Sequence, residues 1–243
     1  MKFLLKIGLP LAVIGGVAAW LYFAVTNRQI NINGWFVGGM VRGVDVSSYQ
    51  TDVDFKELMR QEIKFAYIKA TEGAGHVDAS FAEKWAAVRE AGLSAGAYHY
   101  FVYGESGLKQ AENFVATLGD LESGDLIPAV DLELTMAEVK EPPAVEDVVF
   151  ELKTFLAMVE RRYSVKPILY SREDYYKKYL AKDFADYPRW VTNVFYPVYL
   201  ESGDGWTVWQ YNDCGVLTGY GGEKCIDLNA VNNKFGLDAL KIK

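Results

Sequence analysis

Asp131 and Glu133 stand two apart in the segment Ile127-Pro-Ala-Val-Asp-Leu-Glu-Leu134. Side chains on a strand alternate between its faces. In an extended chain both carboxyls therefore point the same way, roughly 6–7 Å apart along the backbone. Val130, Leu132 and Leu134 take the other face. Two carboxyls buried together resist double ionisation, so their proton affinities separate. One then serves as an acid and the other as a base or charge stabiliser. Glu133 carries an extra methylene and reaches further, which makes it the candidate proton donor. An isolated pair of this kind is more often two solvated acids at a strand end, so the reading depends on what the chain places around it.

The surrounding chain alternates strand and helix patterns. Apolar runs at Val41–Val46, Phe65–Ile68, Ser94–Phe101, Leu126–Leu134, Pro167–Tyr170, Arg189–Val194, Trp206–Tyr211 and Cys225–Val231 give eight strand candidates. Helical periodicity falls between the early ones. Phe81, Trp85 and Val88 form one stripe, with Asp78 as its expected cap and Trp85 as an expected core residue. Leu108, Ala111, Phe114, Val115 and Leu118 form a second stripe. Val148, Leu152, Phe155, Leu156 and Val159 form a third. Asp54–Gln61 and Arg172–Ala181 read as shorter helices. The last three strands lie too close together for full helices between them. This pattern predicts an α/β fold, a TIM-like barrel whose final part is β-only.

In such barrels the working residues gather at the C-terminal ends of the strands. The expected strand ends carry Asp45, then Lys69 with Glu72, then Tyr98-His99-Tyr100, then the acidic pair. Further along they carry Tyr170, Trp209-Gln210-Tyr211, and Asp227 with Asn229. His99 reads as a satisfied barrel histidine more readily than as a base. Alternation separates it from Tyr98 and Tyr100 without saying which face is inward.

The net charge is −7, from 25 basic and 32 acidic residues, which argues against nucleic acid as a partner. Lys2 and Lys6 precede an apolar run from Ile7 to Val25. That run is nearly as long as a bilayer's hydrocarbon layer is thick and longer than a usual signal-peptide core. Bulky Trp20, Leu21, Tyr22 and Phe23 follow the small Ala18-Ala19 pair, which makes a poor cleavage site. Residues 1–28 are therefore expected to be an N-terminal transmembrane helix, single-pass in the cell inner membrane. Its lysines would stay cytoplasmic and the domain would lie on the extracytoplasmic side. Secretion after signal cleavage is the alternative. Residues 29–40 read as a linker and 41–243 as one catalytic domain. Cys214 and Cys225 match no metal motif and flank a turn-rich link between two strands. A disulfide is favoured, with two free thiols as the alternative.

The strand-end motifs resemble those of glycoside hydrolase family 25 lysozymes, the Chalaropsis-type N-acetylmuramidases. The resemblance rests on Gly43-Val-Asp-Val-Ser-Ser-Tyr-Gln50, Ala66-Tyr-Ile-Lys-Ala-Thr-Glu-Gly73, Gly96-Ala-Tyr-His-Tyr-Phe101 and Pro128-Ala-Val-Asp-Leu-Glu133. It continues through Ile168-Leu-Tyr-Ser171, Trp209-Gln-Tyr211 and Ile226-Asp-Leu-Asn229, in the family's order. The resemblance implies a flattened (β/α)5β3 barrel. It also implies hydrolysis of the β-1,4 bond between N-acetylmuramic acid and N-acetylglucosamine in peptidoglycan. Carried over by position, Glu133 is the general acid and Asp131 its partner, with Asp45 and Asp227 completing an acidic cluster. Tyr170, Trp209 and Gln210 would line the sugar site, and Lys69 and Glu72 would lie near it. The segment Arg189-Trp-Val-Thr-Asn-Val194 departs from the family pattern, and Asn193 is the residue there expected to alter sugar contacts.

Spacing alone leaves three mechanisms open. Carboxyls about 5–5.5 Å apart suit retention through a protein nucleophile, about 6.5–9.5 Å suits inversion, and a substrate acetamido group can itself be the nucleophile. The acetamido route is favoured, because muramic acid carries that group and Asp131 is the shorter acid. No cofactor and no metal are expected, and a monomer is. The competing readings are a non-catalytic, membrane-tethered peptidoglycan-binding protein and a hydrolase of another glycan such as chitin.

Overall fold

A computed structural model describes residues 31–243 and, ahead of them, the helical residues 16, 17, 19, 20, 23 and 24. Most of the expected anchor, residues 1–28, thus lies outside the described residues. Among the described residues no helix is long and apolar enough to cross a membrane.

Eight strands close a barrel. They are β1 (Val41–Val46), β2 (Ile63–Glu72), β3 (Ser94–Tyr100), β4 (Ala129–Asp131), β5 (Ile168–Ser171), β6 (Arg189–Thr192), β7 (Val208–Gly215) and β8 (Ile226–Val231). Neighbours from β1 through β7 pair in parallel. β8 runs antiparallel to both β7 and β1 and completes the closure. Every expected strand is present, although β4 is cut to three residues, so Glu133 lies in the loop just past its end.

Helices α1 (Phe55–Arg60), α2 (Phe81–Glu90), α3 (Gly107–Leu118), α4 (Met136–Lys140) and α5 (Val145–Tyr163) occupy the crossovers up to β5. Between β5 and β6 a short turn, α6 (Glu173–Tyr175), runs into a π-helical stretch at Tyr176–Leu180. Local chemistry sets the ends. Asp54 caps α1 by accepting from the Glu57 N–H, and Ser106 caps α3 by accepting from the Lys109 N–H. α5 begins with Glu146 and Asp147 and ends with Arg161 and Arg162, charges that suit its dipole. Asp78 does not cap α2. Ser80 occupies that position, and the Asp78 carboxylate instead accepts from the backbone of Ser48 and Ser80. Trp85 is half-buried, packed against the outer apolar layer with the Arg89 guanidinium 4.7 Å over its ring.

Two apolar layers result. Val44, Ile68, Val130 and Leu132 face outward against Phe114 and Phe155 of the helices. Phe65, Tyr67, Ile168 and Trp190 fill the barrel interior, and Leu126, Ile127 and Leu240 join that same cluster. The interior rings need bare backbone opposite them. Phe65 pairs with Gly43 and Tyr67 with Gly96, and a Cβ on either glycine would overlap the ring. His99 faces the outer layer, fully buried and stacked on Phe155 at 4.9 Å. Tyr98 and Tyr100 therefore face inward.

The β-only side lacks long helices. Val191, Trp209 and Tyr211 cover it with Val198, Trp206 and Val37. Residues 31–40, expected as a linker, contribute to this layer. Asn33 is fully buried and donates to the Asn193 and Tyr211 carbonyls. Cys214 and Cys225 form a disulfide that ties the end of β7 to the start of β8.

Candidate active site

Strand register assembles the acids. β1 and β8 place Asp45 directly opposite Asp227, and these two carboxyls share a hydrogen bond. β4 sets Asp131 level with Tyr100 on one side and Tyr170 on the other. Glu133 follows two residues later and comes within 3.3 Å of the Tyr170 hydroxyl. That hydroxyl also donates to Gln210 Oε1 at 2.9 Å, which accepts in addition from Thr192 Oγ1 at 2.8 Å. Asp45 Oδ2 accepts from Asn229 Nδ2 at 2.6 Å and from Gln210 Nε2 at 3.2 Å. Asn229 is fixed in turn by the Trp190 indole N–H at 2.8 Å. Asp131 Oδ1 is buried and has no hydrogen-bond partner among the described residues.

The four carboxyls line a groove across the C-terminal mouth of the barrel. A first basin of about 220 Å³ holds Asp45, Lys69, Asp131, Trp190 and the exposed Tyr49. A second of about 400 Å³ holds Arg172, Thr192, Phe195 and Tyr196. Glu133, Tyr170, Gln210 and Asp227 line both basins, so Glu133 stands where they meet. Exposed aromatic rings thus flank a central acid on either side, an arrangement suited to stacking successive sugar rings.

Burial is the largest influence on all four acids, and it raises each proton affinity. Asp227 is pushed up to about 10 by burial and by the facing Asp45 carboxyl. Asp131 rises well above the carboxylate range through burial, then through the charges of Glu133 and Asp45. Asp45 and Glu133 also rise, mainly through burial, against the hydrogen bonds of Asn229 and Tyr170 respectively. Protons are therefore shared across the cluster rather than concentrated on Glu133 alone, as the acidic pair by itself would predict.

Two expected site residues lie elsewhere. Trp209 turns its back on the groove, 1 % exposed in the outer layer with its indole donating to the Asn193 carbonyl at 2.8 Å. Consecutive strand residues face opposite ways, and Gln210 takes the inward position. Glu72 does not line the groove. It pairs with Lys69 at 2.6 Å, and Lys69 lines the first basin with its ammonium 5.0 Å over the Tyr100 ring. Asn193 does line the second basin, and its side chain is held there by accepting from the backbone of Phe195 and Tyr196 and donating to Glu201. Trp190, Phe195 and Tyr196 were not foreseen as groove residues. The inward alternation of β6 and the aromatic pair just past its end are the signals that point to them. His99 is neutral: burial lowers its affinity to about 4, with one ring nitrogen on Thr71 and the other on Gln110.

The family model for glycosyl hydrolases family 25 matches residues 44–220, which hold Asp45, Asp131 and Glu133. The chain belongs to this family. A family 25 glycosyl hydrolase from Bacillus anthracis has a similar structure, with a TM-score of 0.74 and 37 % identity over 80 % of this chain and 91 % of that one. A bacterial lysozyme from Streptomyces coelicolor also matches at a TM-score of 0.74, with 26 % identity over 84 % of this chain and 98 % of that one. By sequence, YegX of Escherichia coli K12 is 34 % identical over 201 residues, 79 % of this chain and 70 % of its own. Membership in family 25 makes the protein a glycosidase of the lysozyme class, in keeping with a groove built around carboxyls.

Proposed function

We propose that the protein hydrolyses peptidoglycan as an N-acetylmuramidase, cutting the β-1,4 bond between N-acetylmuramic acid and N-acetylglucosamine. Glu133 acts as the general acid and Asp131 as its partner. The observation that carries this reading is the position of Glu133, a carboxyl of raised proton affinity at the junction of two sugar-sized basins. A chain lying through both basins presents one glycosidic oxygen to it.

In this reading, protonated Glu133 gives its proton to the leaving oxygen as the bond to C1 breaks. The muramic acid's own acetamido oxygen closes onto C1. Asp131 Oδ1, buried and unpartnered, accepts the acetamido N–H, which a carboxyl oxygen does in either protonation state, and so holds the acetamido oxygen in line with C1. Water then attacks C1 from the vacated side, the bond from C1 to the acetamido oxygen breaks and restores the acetamido group, and Glu133, now ionised, takes the water's proton. Asp227 retains its proton and donates to Asp45, which holds the floor of the groove together through Gln210 and Asn229. Lys69 balances charge at the cluster's edge.

Residues 1–28 anchor the protein in the inner membrane with the barrel on the extracytoplasmic side, where peptidoglycan lies. Lys2 and Lys6 ahead of the apolar Ile7–Val25 run support this, and so does the Cys214–Cys225 bond, which suits an oxidising compartment. Digestion of purified peptidoglycan and chitin, followed by borohydride labelling of the new reducing ends, tests the reading. It predicts labelled muramic acid from peptidoglycan and little release from chitin. Labelled glucosamine ends, or faster release from chitin, would overturn it.

A further inference from the structure

Glu133 also lines a third concavity of about 590 Å³, which opens between α4 and the 173–180 helices and shares Tyr100 with the first basin and Arg172 and Asp174 with the second. Leu132, Leu134, Tyr175 and Tyr179 line it, and Met136 and Val139 of α4 lie along it. Met136 is 77 % exposed and Val139 59 % exposed. α4 is held in place by a capping box, in which Thr135 and Glu138 exchange side-chain-to-backbone bonds. A five-residue helix fixed in this way, presenting apolar side chains to solvent, does nothing for the core. Arg172 and Lys178 line the same concavity with two acids, Glu133 and Asp174; Asp174 pairs with Arg172, which leaves the exposed Lys178 as a cationic edge with no ion pair among the described residues.

Sugars offer hydroxyls and flat faces, and the walls of the first two basins suit them. They have no group that uses an apolar recess with a cationic edge. The substrate proposed above does carry one. Muramic acid bears, on its lactyl ether, a short peptide with small aliphatic side chains and free carboxylates. The muramic acid whose C1 reacts lies against Glu133, so its peptide starts within one sugar ring of the concavity. From this we infer that the concavity is the binding site for that peptide stem, an acidic, partly aliphatic peptide, and that Met136, Val139 and Lys178 give the enzyme a preference for peptide-bearing strands. This inference rests on the muramidase reading.

The test compares kcat/KM of the full chain on two substrates: glycan strands carrying their peptides, and the same strands stripped by an amidase. The wild type should prefer the peptide-bearing strands by about tenfold, with the difference carried in KM, the signature of a binding contact made before the chemical step. In the double variant Met136→Ser/Lys178→Glu the ratio should fall to about one. Both residues lie on the concavity's outer side, and an unchanged circular dichroism spectrum and Tm will show that the fold is intact. As a second readout, a soluble muramyl dipeptide should inhibit the wild type more strongly than the variant. An equal rate on both substrates by the wild type, or a preference that survives in the variant, overturns the inference and leaves the muramidase reading standing. No cleavage of either substrate overturns that reading as well.

Discussion

A carboxyl packed among other carboxyls keeps its proton at pH values where a solvated one has lost it, and Asp227 is the clearest instance. Its proton leaves near pH 4 in the unfolded chain and at about 10 in the fold. Because the folded state binds the proton more tightly, the favourable contribution is complete below about pH 4 and is lost as the pH rises toward 10. Asp227→Asn replaces a neutral acid with an amide that can donate the same bond to Asp45 and does not titrate. The variant should match the wild type's Tm near pH 4 and exceed it at pH 8, while activity falls. Thermal melts across that range check this, and a Tm difference that does not change with pH would contradict it. At this scale the sequence was informative where alternation applied. It put Asp131 and Glu133 on one face, and the family resemblance added Asp45 and Asp227 to the cluster and Tyr170 and Gln210 to the site. It misplaced Trp209, because a motif read as a block ignores that its neighbours face opposite ways. It set Glu72 near the groove, where the residue holds Lys69 rather than lining the groove itself.

At the scale of elements, the barrel depends on close approaches that only small residues permit. α3 meets α5 at Gly107, whose N–H donates to the Glu151 carboxylate, and a Cβ there would overlap the Glu151 carbonyl oxygen. Backbone cannot yield as a side chain can, so Gly107→Ala should destabilise the protein by about 1–3 kcal/mol. Urea unfolding monitored by tryptophan fluorescence measures this, and a variant within 0.5 kcal/mol of wild type, roughly the noise of a neutral surface change, would contradict it. The eight strands were legible as apolar runs because strands buried on both faces carry few polar residues. The π-helical stretch at Tyr176–Leu180 was not legible, since its period differs from the α-helix by a fraction of a residue. Nor was the docking of residues 31–40. Asn33 reads as a linker residue until the carbonyls of Asn193 and Tyr211 are seen on either side of it.

For the molecule as a whole, an acidic chain of net charge −7 gains nothing from anionic lipid headgroups, so any membrane association must come from its apolar first 28 residues. The full chain should therefore remain in the membrane fraction through a high-salt wash. A form starting at residue 31, which keeps Asn31 and Asn33 on the barrel, should be soluble and keep its activity on isolated peptidoglycan. Recovery of the full chain in the soluble fraction would contradict the anchor. Bond cleavage depends on the proton that Glu133 supplies. The most direct measurement is kcat on purified peptidoglycan for wild type and Glu133→Gln, with matched circular dichroism spectra. A loss of about 10²–10⁴-fold is expected in the variant, the usual contribution of a positioned general acid. A Glu133→Gln protein that cleaves within a few-fold of the wild-type rate would contradict it.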